Sequence, residues 1–176
     1  MLIKAQWRAF TDMLERGETL GIAVSNYCPC HLDCIIDDPD LTVVPVVNQL
    51  KYHIGMGADP HDMIADNYAR GVVPQAYSPL AHGSLARSAD VDTVKPHYRG
   101  KSTAQIAYKW VLQHEVSVCM SADDSDHRVT QEFQEDMDMF DWTISDADMS
   151  TLNDIGPARP RFPETPASCY SSGSGR

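Results

Sequence analysis

Short polar clusters close four apolar runs: Ser25-Asn26, Asn48-Gln49, Tyr77-Ser78-Pro79-Leu80 and Met120-Ser121. Side-chain amides and hydroxyls match the donors and acceptors of another amide, and an aromatic face matches a flat ring. Any one of these clusters is also what a strand-to-helix turn uses to cap itself. Four of them at corresponding strand ends point to a site for a flat, polar ligand. A different cluster, Cys28, Cys30, His31 and Cys34, carries metal-ligating side chains. Its spacing fits no common zinc pattern, and the plainer reading is small, partly buried side chains at a helix start, so no residue is assigned to a metal. The acidic run DDPD at 37–40 lacks the glycine and distal glutamate of a calcium loop and reads as a solvated turn.

The elements that must position these residues follow from periodicity and punctuation. Ile3, Trp7, Phe10 and Leu14 recur at helical spacing, with Gly17 as a stop. Leu20 to Val24 reads as a buried strand. After Pro29 comes a short helix, about 31–36. Residues 43–49, VVPVVNQ, read as a second strand, too continuously apolar for a half-exposed sheet. A helix at 61–70 is stopped by Gly71, and VVPQAY at 72–77 is the third strand. The stretch 81–101 reads as a long loop. Ser102 and Gln105 form a capping box for a helix carrying Ile106, Trp110, Val111 and His114. VSVCM at 116–120 is the fourth strand, and a helix follows at about 126–137. Ser145 and Asp148 cap a last helix, with Ile144 and Met149 spaced as a hydrophobic staple. From Gly156 the chain is rich in Pro, Ser and Gly. Two regions result, an ordered 1–155 and an irregular tail, 156–176. Short apolar strands alternating with helices mean parallel βα units, and such folds bind ligands at the C-terminal ends of their strands.

The bulk composition narrows the function. The 176 residues suit one domain, or one large domain cut short, and the net charge is −11. That balance excludes a nucleic-acid partner and an anionic membrane surface, because phosphate binding needs a basic face. No apolar run approaches the roughly 20 residues that span a bilayer. The start, MLIKAQWRAF, lacks the continuous apolar core of a signal peptide. Five cysteines, Cys28, Cys30, Cys34, Cys119 and Cys169, make an odd set that does not read as a disulfide framework. A reducing compartment follows: the cytoplasm by default, or an organelle if a transit peptide has been removed.

The segments GIAVSNY, VVNQLKYH, QAYSPLAHG and FDWTISDADM, in this order and spacing, resemble the aldo-keto reductases over about residues 3–155. The resemblance implies a (β/α)8 TIM barrel, of which this chain would form a part: strands five to eight, an N-terminal helix and an irregular tail. It implies NADPH, or sometimes NADH, as the reductant of a carbonyl. Ser25, Asn26 and Gln49 would hydrogen-bond the nicotinamide carboxamide. Tyr77 would stack on the nicotinamide ring, and Ser78 and Leu80 would line the pyrophosphate path. Arg128 would reach the adenosine 2′-phosphate. The lysine that normally precedes it is replaced by Met120, an adenine-contacting position is Glu132, and the run DDSD at 123–126 lies between. Carboxylates beside a phosphate repel it by about 1–4 kcal/mol per close pair. NADPH binding should therefore be weakened or lost.

The catalytic tyrosine, lysine, aspartate and histidine of the family belong to the first four strands, so the resemblance assigns no catalytic residue here. Tyr52 and His53 belong to the sixth-strand motif, and His82, His97 and His127 sit in loops without an identifiable partner. Strands 20–24 and 116–120 would be open edges, which calls for a protein partner or self-association. The expectation is a non-catalytic scaffold or accessory subunit in a larger assembly. The alternative is the C-terminal part of an active NADPH-dependent carbonyl oxidoreductase whose first half is in another polypeptide or missing from the recorded sequence.

Overall fold

The structure, a computed structural model, describes residues 2–120 and 128–156, and the side chains of 128–132 are excluded. Residues 157–176 of the expected tail, the run DDSD, Ser121 and His127 therefore lie outside the described residues. In chain order the elements are α1 (Leu2–Glu15), β1 (Val24–Ser25), α2 (Pro29–Ile36), β2 (Val47–Lys51), α3 (Met63–Ala69), β3 (Val73–Tyr77), α4 (Ala89–Asp92), α5 (Thr103–Gln113), β4 (Ser117–Val118), α6 (Arg128–Met137) and α7 (Asp146–Asn153). The strands form one four-stranded sheet in the order β1-β2-β3-β4. β1 runs parallel to β2, with Val24 opposite Asn48 and Ser25 opposite Gln49. β3 runs parallel to β4, with Gln75 opposite Ser117 and Ala76 opposite Val118. The expected four parallel βα units are present.

The described residues divide into two compact units, 2–50 with 61–74, and 51–60 with 75–120 and 128–156. In the first, Trp7, Ile22, Val24, Leu32, Ile35 and Val72 form the core. The Trp7 indole N–H donates to the Val43 carbonyl at 2.8 Å, so its polar edge is satisfied. Helix α1 ends as the sequence predicts: Gly17 takes φ 71°, its N–H bonds to Leu14 O, and the Glu18 N–H bonds to Met13 O. Phe10, placed on the apolar stripe by spacing, is exposed instead.

Several strand limits differ from those read in the sequence. β1 keeps only two residues, and Leu20 is fully exposed rather than buried. β1 lies at the end of the sheet order, so the residues before Val24 have ladder partners on one side at most. β2 starts later than expected, after Pro45, which has no N–H to give. Its burial alternates, with Asn48 and Leu50 buried and Val47, Gln49 and Lys51 more open. The continuous apolar run thus does not mean burial on both faces. β3 alternates too, with Pro74 and Ala76 buried. β4 is shortened to Ser117–Val118. The expected helix at 61–70 is a 3-10 turn at Pro60–Asp62 followed by α3, with His61 and Asp62 both at positive φ.

The DDPD turn is less solvated than expected. Asp38 is buried, 2.8 Å from Lys4 Nζ, and accepts the Asp40 N–H at 3.0 Å. The Lys4 ammonium, with that N–H, holds its carboxyl below the usual carboxylate range.

In the second unit, the stretch 81–101 is not structureless. It carries 3-10 turns at Leu85–Arg87 and Lys95–His97 around α4. The capping box at Ser102 and Gln105 forms in full. Helix α5 is the unit's axis. Gln113 both accepts the Ile144 N–H and donates to its carbonyl, and Lys109 donates to Met139 O at 2.7 Å. Ser145 caps α7 by accepting the Asp148 N–H. His97, read as partnerless, lies 3.1 Å from both Asp148 carboxylate oxygens. Tyr98 OH and Ser145 Oγ also donate to that carboxylate.

The Tyr98 hydroxyl, with His97 and Ser145, holds the Asp148 carboxyl below its ordinary value. A folded pKa below the unfolded one gives stability that is full above the ordinary carboxylate range, near pH 4, and is lost as pH falls through the lower folded value. Melting temperatures followed downward from about pH 5 should therefore fall more steeply for the native chain than for Asp148→Asn. Parallel curves would show that the carboxylate carries no such share.

Candidate functional site

The sequence-predicted residues of the first unit converge at the end of β1. Register puts Ser25 directly opposite Gln49. The Ser25 hydroxyl donates to the Gln49 carbonyl at 3.0 Å and accepts from Asn26 Nδ2 at 3.1 Å. The Asn26 N–H bonds to the same carbonyl at 2.9 Å. Asn26 sits in the left-handed region at φ 58°, a conformation asparagine tolerates better than most residues. Ser25 and Asn26 are exposed and Gln49 is half-buried. The exposed Ser25 hydroxyl and Asn26 amide thus stand at one strand-end corner, against the backbone carbonyl of Gln49.

Beneath the corner lies a residue that the strand-end reading grouped with Gln49. Asn48 is fully buried and faces the opposite way. Its Nδ2 donates to Tyr27 O at 2.8 Å and to Asn67 Oδ1 at 3.0 Å, and its Oδ1 accepts the Tyr27 N–H at 3.2 Å. Asn67 in turn donates to Met63 O at 2.7 Å. Asn48 is therefore a positioning residue that ties the 25–27 turn to α3. The signal was in the sequence: Asn48 shares its parity with Leu50, on the covered side of β2.

In the second unit, Tyr77 ends β3 half-buried, and Ser78 follows at φ 52°. The loop then folds tightly, with the Ala81 N–H on Ser78 O at 2.8 Å and the Leu85 N–H on Leu80 O at 3.1 Å. Ala81 and His82 are also at positive φ, at 48° and 57°. Non-glycine residues in this region cost about 1–3 kcal/mol each and persist where surrounding structure holds them, often at ligand clamps. Leu80 is half-buried, Met120 follows β4, and Arg128 is the first residue of α6.

Tyr52 and His53 both lie in the interior. Tyr52 is fully buried, stacks on Trp110 at 4.9 Å and donates to Ala58 O. His53 Nδ1 lies 2.6 Å from Ile54 O, and burial lowers its pKa below the ordinary imidazole value. Sequence reasoning also set aside Cys28, Cys30 and His31, which the structure brings together at the start of α2. Burial, with the Cys28 side chain beside it, pushes the Cys30 thiol up to about 11.

Four strands alternating with helices in one sheet are an arrangement that (β/α)8 barrels contain. The aldose reductase of Schistosoma japonicum superposes with a TM-score of 0.74 at 21% identity, covering 90% of this chain and 48% of that one. MGS-M4, an aldo-keto reductase from a deep-sea metagenome, gives 0.73 at 24% identity, covering 91% and 58%. Residues 2–156 match the sequence profile of the aldo/keto reductase family, and the chain belongs to that family. An aldo-keto reductase of Mycobacterium ulcerans is 32% identical over 151 residues, 84% of this chain and 50% of its own length. The morphine 6-dehydrogenase of Pseudomonas putida is 30% identical over 161 residues, and the glyoxal reductase of Bacillus subtilis 30% identical over 150. The chain spans about half the length of these curated relatives.

Asn48→Ala leaves the Asn67 oxygen and the Tyr27 backbone without their partners in a buried place. It should cost about 2–4 kcal/mol of stability, one to two buried groups' worth. Gln49→Ala, on the open side, should cost under about 1 kcal/mol. Denaturant unfolding of the two variants checks this, and equal costs would contradict the assignment of Asn48 as the positioning residue.

Proposed function

We propose that this chain is the cofactor-side half of a carbonyl-reducing barrel and that it reduces no carbonyl by itself. In this reading Ser25, Asn26 and Gln49 hold the nicotinamide carboxamide and Tyr77 stacks on the ring. Ser78 and Leu80 line the pyrophosphate path, and Arg128 meets the 2′-phosphate of NADPH. The observation that supports it most is the corner of Ser25, Asn26 and Gln49, held by a buried amide network that core packing alone does not require. The positive φ of Ser78, directly after Tyr77, adds to it. The family's proton donor and its tuning lysine, aspartate and histidine have no counterpart among the matched motifs. A complementary set of strands, from another polypeptide or another part of a longer one, is then needed for turnover.

A second reading is a non-catalytic accessory subunit seated in a larger assembly. Met120 in place of a phosphate-binding lysine favours it, together with the acidic residues at 123–126 and Glu132. Under either reading the chain works against a protein surface, and NADPH affinity is low.

The chain, purified and supplied with NADPH and a nitrobenzaldehyde, should oxidise the cofactor no faster than its Tyr77→Ala variant. A rate clearly above that variant overturns the proposal. Native mass spectrometry of the chain from its source should find it in a complex under the second reading, and a stable monomer would count against that reading.

A further inference from the structure

We propose that Cys28, Cys30 and His31 form a three-ligand site for a soft or borderline d10 cation, Zn2+ or Cu(I). One ligand atom from each lies within 4.8 Å of the other two, and all three residues are half-buried. The two sulfurs are 2.7 Å apart. Tetrahedral zinc–thiolate bonds of about 2.3 Å place sulfurs some 3.7 Å apart, so the pair opens by about 1 Å to admit an ion. Rotation of the two thiols about their side-chain bonds supplies that movement without moving the backbone.

The backbone holds the ligands in place. Pro29 occupies the first turn of α2, where its missing N–H costs nothing and its fixed φ pre-sets the helix. The His31 N–H bonds to Cys28 O at 2.9 Å and the Leu32 N–H to the same oxygen at 3.2 Å. Residues 28, 30 and 31 are thereby wound onto one end of the helix. The His31 ring meets Tyr27 edge-on at 5.4 Å, which limits its swing. Cys28 is the N-cap residue, yet its side chain makes no capping bond. At a position where Ser, Asp, Asn or Thr serve the helix best, a sulfur turned toward another sulfur gives up cap strength, and ligation accounts for that choice.

Two thiolates and an imidazole are a soft donor set. They match Cu(I) in trigonal coordination, or zinc with one further position left to water or a partner's side chain. The C-x-C-H spacing is absent from the common zinc patterns, which is why spacing alone did not reveal it.

The test uses the full reduced chain, with Co2+ as the spectroscopic stand-in for zinc and Cu(I) under competition with a chromophoric chelator. One equivalent of Co2+ should give thiolate-to-cobalt charge-transfer absorption that added Zn2+ abolishes. Cys28→Ser and Cys30→Ser should each weaken binding by about 100-fold or more, and His31→Gln by about 10- to 100-fold. Cys119→Ser, removing an exposed thiol elsewhere, should change nothing. Serine is the better N-cap, so Cys28→Ser should retain or raise the melting temperature while losing the metal. That split separates ligation from a structural role. Absence of charge transfer in the native chain, or its persistence in the Cys28→Ser/Cys30→Ser double variant, overturns the proposal.

Discussion

The buried side chain of Asn48 makes three hydrogen bonds, to Tyr27 N, Tyr27 O and Asn67 Oδ1. It reaches these groups because β2 is parallel to β1 and in register, with Val24 opposite Asn48. One amide therefore joins the end of the first strand to the helix that follows the second. The turn at 25–27 inherits its shape from that joint, and so does the pairing of the Ser25 hydroxyl with the Gln49 carbonyl. Parity does the rest: when Asn48 faces the helix layer, Gln49 must face the other way. A single-residue step thus separates the fixing residue from the one on the open face.

The open side of the strands follows from the same geometry. Along β2 and β3 the even-numbered positions are buried and the odd-numbered ones are more exposed. In a closed barrel such positions are covered by facing strands, which is why parallel strands there read as continuous apolar runs. The sequence 43–49 retains that character, while its burial in this chain is that of a sheet covered on one side. Members of this family about twice as long supply the remaining length. Val46, just before β2, and Val73, the first residue of β3, are apolar residues left exposed.

Local chemistry was the part of this fold most legible in the sequence. The Ser102–Gln105 box, the Ser145 cap and the Gly17 stop all appear, because each depends on a few adjacent residues. What was misjudged depends on neighbours distant in the chain. Leu20 looks buried by composition, but exposure is decided by whether a strand lies beside it. His97 looks alone until α7 brings Asp148 to it across 51 residues. Cys28, Cys30 and His31 match no metal pattern in one dimension, and only the helix start after Pro29 gathers them. Of the candidate residues, Ser25, Asn26 and Gln49 lie together at one strand end, while the Asn48 side chain turns to Tyr27 and Asn67.

The account rests on the corner being preformed for an amide ligand before any partner arrives. Nicotinamide mononucleotide carries the carboxamide and ring without the adenosine half. NMR of the uniformly labelled chain titrated with this mononucleotide measures the point directly. The account predicts that the side-chain amide signals of Asn26 and Gln49 shift together, while that of Asn48 stays in place, and that Asn48→Ala abolishes the response. Shifts confined to other residues, or none at saturating ligand, would contradict it.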